Sequence, residues 1–259
     1  MRLGFSAYKL VTRPFDWAYG LEDMGFDGWE IVSEGQQKIT KETVPGVKDI
    51  INSMGLEITV HGPFSDLNPA SLNDAIRDET IRQIKQCVEL SADFSRIVVV
   101  HPGILSPLGS QMPDRAWARN VDALGELCRH AEEHGVTLCL ENMPNMEKLL
   151  CRTPPETFGM AESGNSGITF DVGHANTMGN TGDFLREREK FTHVHIHDNN
   201  GKKDEHLELG RGTVDWGRVL PELKDFKGMA VIEARSLEEG RRSLEYVRSR
   251  EKHAKNGSH

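Results

Sequence analysis

Short apolar runs rich in β-branched residues recur along the chain, each followed by a longer stretch whose apolar residues fall at helical spacing. Eight runs read as strands: Leu3 to Phe5, Gly28 to Val32, Leu56 to His61, Arg96 to His101, Val136 to Glu141, Gly167 to Asp171, Thr192 to His197 and Met229 to Glu233. Their apolar character is nearly unbroken, as in Arg96-Ile97-Val98-Val99-Val100-His101. Strands of that kind are buried on both faces, the habit of a parallel sheet covered by helices.

The intervening stretches carry helix punctuation. Asn73 to about Phe94 places Ile76, Ile81, Ile84 and Val88 at helical spacing, and Asp114 to His134 does the same with Trp117, Val121, Leu124 and Leu127 before the helix stop Gly135. Ser236 with Glu239 reads as a capping box opening a last helix that runs to about Glu251. No linker divides the chain, and its only repeat is the βα unit. We therefore expect an α/β fold, one (β/α)8 TIM barrel over residues 1–251 with a polar C-terminal tail at 252–259. A doubly wound sheet is the alternative, because periodicity does not show closure.

Composition narrows the class. With 37% hydrophobic and 27% charged residues in a chain of 259, a sizeable core is available, and disordered or fibrous classes are excluded. Eight βα units nearly exhaust that length. The formal charge of −9 offers no global field for holding a polyanion, although bound metal ions would add positive charge that this count omits. The widely spaced Cys87, Cys128, Cys139 and Cys151 form no CxxC pair and read as buried reduced thiols. No basic-then-apolar leader opens the sequence, and no apolar run nears the roughly 20 residues of a membrane span, so a cytoplasmic protein is expected.

The ends of the strands carry the chemistry. Strand three ends in Val60-His61-Gly62-Pro63, strand four in Val100-His101-Pro102-Gly103, strand five in Leu140-Glu141-Asn142 and strand six in Phe170-Asp171-Val172-Gly173-His174. Strand seven supplies His193-Val194-His195-Ile196-His197-Asp198, then Asp204-Glu205-His206, and strand eight ends in Glu233. In a (β/α) barrel the C-terminal strand ends meet at one mouth, so these side chains would crowd one pocket. Carboxylates so crowded resist ionisation unless cations are present, and mixed imidazole and carboxylate donors suit Zn, Mn, Fe or Co. A lone histidine after a strand is ordinarily a hydrogen-bonded structural residue. Six strand ends bearing His, Asp or Glu together make that account a poor one.

The ordered series His61, His101-Pro-Gly, Glu141-Asn, Asp171-x-x-His174, His195-x-His-Asp, Asp204-x-His206, Gly210-x-Gly212-x-x-Asp215-Trp216 and Glu233 resembles the xylose-isomerase-like barrel superfamily. That superfamily holds sugar and sugar-phosphate isomerases and epimerases, together with apurinic endonucleases of the endonuclease IV type. For the isomerases and epimerases, the resemblance implies one divalent metal (Zn, Mn, Co or Mg) held by Glu141, Asp171, His195 and Glu233. For the endonucleases it implies three zinc ions, with His61, His101, His174, Asp204 and His206 as further ligands. A homo-oligomer is compatible with either branch.

Two reactions are thus open. In an isomerase or epimerase, Glu141 and Glu233 would flank a small sugar and move its proton, or steady it during a hydride shift; His174, His197 and His206 would bind hydroxyls or phosphate, and Arg211 a phosphate or carboxylate. In an endonuclease, Glu141 would bridge metals, and nucleic acid would need a basic surface with wedge side chains such as Phe64. The basic residues Arg241, Arg242, Arg248, Arg250 and Lys252 alternate with glutamates on the last helix, far from the strand-end loops, and read as a solvated face. That favours the sugar enzyme. A barrel that binds without catalysing ranks last, since both glutamates are present.

Overall fold

The computed structural model describes residues 1–256. Eight parallel strands close into a barrel in sequence order: β1 Arg2–Ser6, β2 Gly28–Val32, β3 Glu57–His61, β4 Ile97–Val100, β5 Thr137–Glu141, β6 Gly167–Asp171, β7 His193–Ile196 and β8 Met229–Glu233. Strand β8 pairs with β1 in the register Phe5↔Ile232 and Ser6↔Glu233, so the sheet is closed and the doubly wound alternative is set aside. Each strand lies within about two residues of its sequence expectation at either end.

Strand alternation sorts the side chains into two populations. Trp29, Ile31, Val60, Val98, Leu138, Leu140, Phe170, Val194 and Ile196 join the apolar core shared with the surrounding helices. The alternate positions face the barrel axis, and there the chain places Glu30, Thr59, Glu141, Thr169, Asp171, His193 and His195, all buried. Beneath that polar column the floor is glycine-lined and filled by Met229. A Cβ on Gly28 would come within 2.1 Å of Met229 Sδ and 2.8 Å of the Glu57 carbonyl, so only glycine fits beside it.

The helices are α1 Val44–Asn52, α2 Asp74–Ser91, α3 Pro113–Glu133, α4 Pro154–Gly164, α5 Val172–Met178, α6 Thr181–Leu185, α7 Trp216–Leu223 and α8 Leu237–Asn256. Asn73 caps α2 by accepting from Ala75 N at 3.1 Å, and Gly135 follows α3 with φ of +68°. Helix α2 stops at Ser91, three residues short of the expectation, because Phe94 and Ser95 N–H groups turn back onto the Ser91 carbonyl. At α8 only half of the expected capping box forms: Glu239 N donates to Ser236 Oγ at 3.3 Å, but the Glu239 carboxylate is taken by Arg235. The full box belongs to Thr153 and Glu156 at α4. Helix α8 also continues to Asn256 rather than ending near Glu251; the rest of the expected tail lies outside the described residues.

The first βα unit departs most from the pattern. Two 3₁₀ turns, Tyr8–Thr12 and Phe15–Gly20, stand where an α-helix is usual. They carry Phe15 and Trp17 edge-on to Trp29, at centroid distances of 5.8 and 5.7 Å. Aromatic packing rather than helical hydrogen bonding closes this side of the barrel.

All four cysteines are buried and unpaired. Burial pushes the thiols of Cys87, Cys128 and Cys139 up to about 12, and that of Cys151 well above its ordinary value. Almost no thiolate exists at pH 8, and the thiolate is the reactive species. Iodoacetamide at pH 8 should leave the native chain unlabelled while labelling all four cysteines in denaturant; mass spectrometry of the native sample would expose any thiol that contradicts this.

Candidate metal centre

The strand ends converge as barrel geometry requires. His61, Glu141, Asp171 and Glu233 are the last residues of β3, β5, β6 and β8, and His195 is the third residue of β7. His101 follows β4 directly. His174 sits in the first turn of α5, where its N–H donates to Asp171 Oδ1 at 2.6 Å. Asp204 and His206 arrive on the loop after β7, with His206 held at a φ of +49°, a conformation few non-glycine residues adopt.

These residues form three adjoining donor groups. In the first, Glu141, Asp171, His195 and Glu233 each offer one donor atom, all within 4.8 Å of one another. His195 Nδ1 stands 3.1 Å from Glu141 Oε1 and 3.5 Å from Glu233 Oε1. In the second, His61 Nε2 and His101 Nε2 face each other at 3.1 Å and approach Glu141 Oε2 at 3.4 and 3.2 Å. In the third, Asp204 takes His206 Nε2 at 3.0 Å, His174 Nε2 at 3.4 Å and His197 Nε2 at 3.4 Å. Glu141 joins the first two groups.

Backbone carbonyls decide which imidazole nitrogen is offered. His61 Nδ1 lies 3.0 Å from Gly62 O and His174 Nδ1 lies 2.8 Å from Asn142 O. A carbonyl only accepts, so both Nδ1 atoms carry hydrogen and both Nε2 atoms face the site. His195 is turned the other way, with Nε2 3.0 Å from Glu30 Oε1 and Nδ1 toward the carboxylates. Room for His197 comes from Gly173, whose Cβ would lie 2.0 Å from the ring.

The electrostatics follow from burial opposed by close partners. Burial raises Glu141, but the charge of His195, its hydrogen bond and the close approach of the His101 and His61 imidazoles hold it well below the usual carboxylate range. Asp171 and Asp204 are likewise lowered against their burial by neighbouring imidazoles. Burial lowers the histidines, yet Asp171 and Asp204 carry His174 well above its ordinary value, Glu30 and Glu233 do so for His195, and Asp171 brings His197 up to about 9. For His101 burial wins and the value falls. Burial also wins at Glu233, which is raised.

A cavity of about 450 Å³ opens above these groups, within the range of small-molecule sites. His61, His101, Glu141, His174, Asp204, His206 and Glu233 line it, and Tyr8 and Phe64 form a wall with ring centroids 5.5 Å apart. Asp171, His195 and His197 lie beneath the lining, fully buried. Arg211 is exposed and outside the lining; Lys9 and Arg235 are the cations at the cavity wall.

Sequence reasoning left the role of Asp198 unassigned. Its Oδ2 accepts from Trp216 Nε1 at 2.8 Å and Gly210 N at 2.9 Å, and its Oδ1 from Asn199 N at 2.9 Å and Val214 N at 3.1 Å. The motif Gly210-x-Gly212-x-x-Asp215-Trp216 is thus a clasp that fastens both ends of the loop bearing Asp204 and His206. Gly212 belongs to it because a Cβ there would come within 2.2 Å of Asn199 O.

Residues 19–250 match the family described as a xylose isomerase-like TIM barrel. The chain belongs to this family. Among its relatives is an uncharacterized protein of Methanocaldococcus jannaschii, 36% identical, the match covering 94% of this chain and 88% of that one. Fructoselysine 3-epimerase of Shigella flexneri is 23% identical with 90% of each covered. The crystal structure of a D-tagatose 3-epimerase-like protein superposes over 100% of both chains with a TM-score of 0.93 at 34% identity. This member of the xylose isomerase-like family therefore shares the whole barrel with that structure.

The clasp can be tested directly. Asp198→Ala would leave three buried donors, Asn199 N, Val214 N and Trp216 Nε1, and the half-buried Gly210 N–H without their acceptor, at about 1–3 kcal/mol for each buried one that finds no water. We expect a loss of at least about 3 kcal/mol in denaturant unfolding and faster amide hydrogen exchange across 204–214; exchange unchanged in that segment would contradict the assignment.

Proposed function

We propose that the protein is a divalent-metal-dependent sugar epimerase or isomerase acting at a carbon next to a carbonyl group. The observation that carries this reading is the pair Glu141 and Glu233, which close on one donor group while their environments drive their proton affinities apart. Such a pair is what acid–base work at one carbon requires. The 3-epimerase names of the relatives support the same chemistry, since carbon 3 of a 2-keto sugar is the carbon beside the carbonyl.

The first donor group fits a metal. Glu141 Oε2 and Asp171 Oδ2 are buried oxygens without a hydrogen-bond donor, and three carboxylates with one imidazole suit Mn, Co, Mg or Zn. Glu141, Asp171, His195 and Glu233 would hold the ion, which when bound supplies Lewis-acid polarisation of the substrate carbonyl. The chain's own residues do the rest. The ionised carboxylate of Glu141 takes the proton from the carbon, leaving its electron pair in an enediolate. Glu233, in its protonated form, returns a proton to the opposite face and inverts the centre. In the reverse direction the two exchange roles. Tyr8 and Phe64 exclude water from one side of the cavity.

The second and third donor groups give the three-zinc phosphodiesterase reading its support, because all nine of its ligand positions converge. The surface opposes it. Arg241, Arg242 and Arg248 on α8 are each paired to carboxylates, the last two to Glu208 and Asp27 respectively, as are Arg186, Arg188 and Lys190 near β7. These six cations are neutralised within the chain rather than held ready for phosphates, and Arg250 stacks on the Tyr246 ring.

Two measurements test the reading. Incubated with ketohexoses in deuterated water, the metal-loaded protein should exchange solvent deuterium into the carbon it inverts; Glu141→Gln or Glu233→Gln should each lower turnover about 10²–10⁴-fold. Nicking of an abasic-site duplex, with no deuterium exchange into any sugar, would establish the phosphodiesterase instead.

Metal uptake should also be linked to protons. His195 and His174 are held well above their ordinary values and so bind protons at neutral pH, whereas a ligating imidazole must be neutral. Ion binding then releases protons, and apparent affinity rises as pH rises through the histidine values. Calorimetry in two buffers of different ionisation enthalpy should show this release; equal heats in both buffers would contradict it.

A further inference from the structure

Below the first donor group, the barrel holds a buried polar layer that the proposed chemistry does not use. Glu30 of β2 is 1% exposed and His193 of β7 is fully buried. Glu30 Oε2 accepts from Thr59 Oγ1 at 3.0 Å and stands 2.8 Å from His193 Nε2. Its other oxygen, Oε1, lies 3.0 Å from His195 Nε2. Barrel interiors are ordinarily filled at this level by branched apolar side chains. Removing a carboxylate and two imidazoles from water is costly, and an apolar layer would hold the strands together as well or better. A function other than stability is therefore indicated.

The geometry shows what that function is. His193 and His195 are two residues apart on one strand, so both rings enter the barrel, and Glu30 meets both. The contact between Glu30 Oε1 and His195 Nε2 is off hydrogen-bond alignment, yet neither atom has another hydrogen-bond partner, so each is the other's polar neighbour. His195 donates its Nδ1–H to Glu141 Oε1 at 3.1 Å; an ion taking that nitrogen would displace this proton, and a carboxylate facing Nε2 keeps the ring's other hydrogen there, leaving the Nδ1 lone pair on the far edge for the ion. That edge faces Glu141, Asp171 and Glu233. His193 and Thr59 meanwhile hold the second carboxylate oxygen, so Glu30 cannot swing away.

We propose that Glu30 is a positioning residue for the metal centre: braced by Thr59 and His193, it sets the tautomer and ring orientation of His195 and strengthens Nδ1 as a donor. The assignment rests on the reading that Glu141, Asp171, His195 and Glu233 bind a divalent ion. Carboxylates placed behind ligating histidines typically contribute about 10–100-fold in metal affinity.

The test is a double-mutant cycle read as Co²⁺ affinity by calorimetry and as the visible spectrum of the bound ion. Chelator-stripped wild type, Glu30→Gln, His195→Gln and the double variant are titrated, with circular dichroism confirming the fold of each. Glu30→Gln should weaken the site about 10–100-fold and alter the Co²⁺ spectrum, and in the His195→Gln background it should have no further effect. Equal affinity in wild type and Glu30→Gln would overturn the proposal. So would an equally large loss when His195 is already absent, because Glu30 would then act through the fold at large. If Glu30→Gln fails to fold, Glu30→Asp keeps the charge but shortens its reach; unchanged affinity and spectrum in that variant would also count against positioning. Wild-type protein that takes up no Co²⁺ would sink the metal reading itself, a result distinct from the other two.

Discussion

Everything at the mouth of this barrel depends on one constraint: carboxylates and imidazoles forced out of water together must neutralise one another. Glu141 is the centre of it. Burial alone would push its proton affinity up, yet His61, His101 and His195 converge on its two oxygens and reverse the outcome. The same trade recurs at Asp171 with His197 and at Asp204 with His174 and His206. Each buried anion is matched by a buried donor, and no lysine or arginine takes part. Imidazoles are suited to this because they can surrender the proton and remain as ligands, whereas a guanidinium cannot. The site is thereby stable in two states of charge, one neutralised by protons and one, on the proposed reading, by metal.

That constraint explains the division of labour within the fold. The outward side chains of the strands make the stabilising apolar core with the helices, which frees the inward positions from packing duty. Met229 plugs the floor against Gly4 and Gly28, so the polar column above it is closed to water from below. Above, the Asp198 clasp brings Asp204 and His206 in from a loop that has no regular structure to hold it. The strained backbone at His206 is tolerated for the same reason, since the clasp fixes the chain at both ends.

The parts of this arrangement that were legible in the sequence are those with short-range signals. Buried strands announce themselves as unbroken apolar runs, and barrel geometry then carries His61, Glu141, Asp171 and Glu233 to one place without further information. Glu30 sits within such a run, Gly28-Trp29-Glu30-Ile31-Val32, but nothing in β2 tells that its partners are 163 residues away at His193. Arg211 was a natural candidate for an anionic substrate by residue type. Its neighbours Gly210 and Gly212 instead serve the clasp and leave its side chain in solvent. The 3₁₀ turns after β1 were not foreseen because aromatic contacts with Trp29, distant in sequence, replace a local helical pattern. Helix existence was easier to read than helix ends, as the truncated α2 and the extended α8 show.

The donor groups, then, say where charge is held, and the walls around them say what can approach. Three adjoining donor groups could serve sugar or phosphodiester chemistry, because both require a cation beside an oxygen. What separates the two is access and surface charge. A duplex needs cations arranged along a groove, and here Arg241, Arg242 and Arg248 of α8 and Arg188 near β7 are already committed to carboxylates. A small sugar needs a cavity with an apolar wall for its carbon face and polar groups for its hydroxyls. The space bounded by Tyr8, Phe64, His174 and His206 has that character, and at about 450 Å³ it lies within the range of small-molecule sites. The acidic balance of the chain follows the same logic, since several of its negative charges are committed to the site and are matched there, while the remainder lie on a surface that does not attract polyanions.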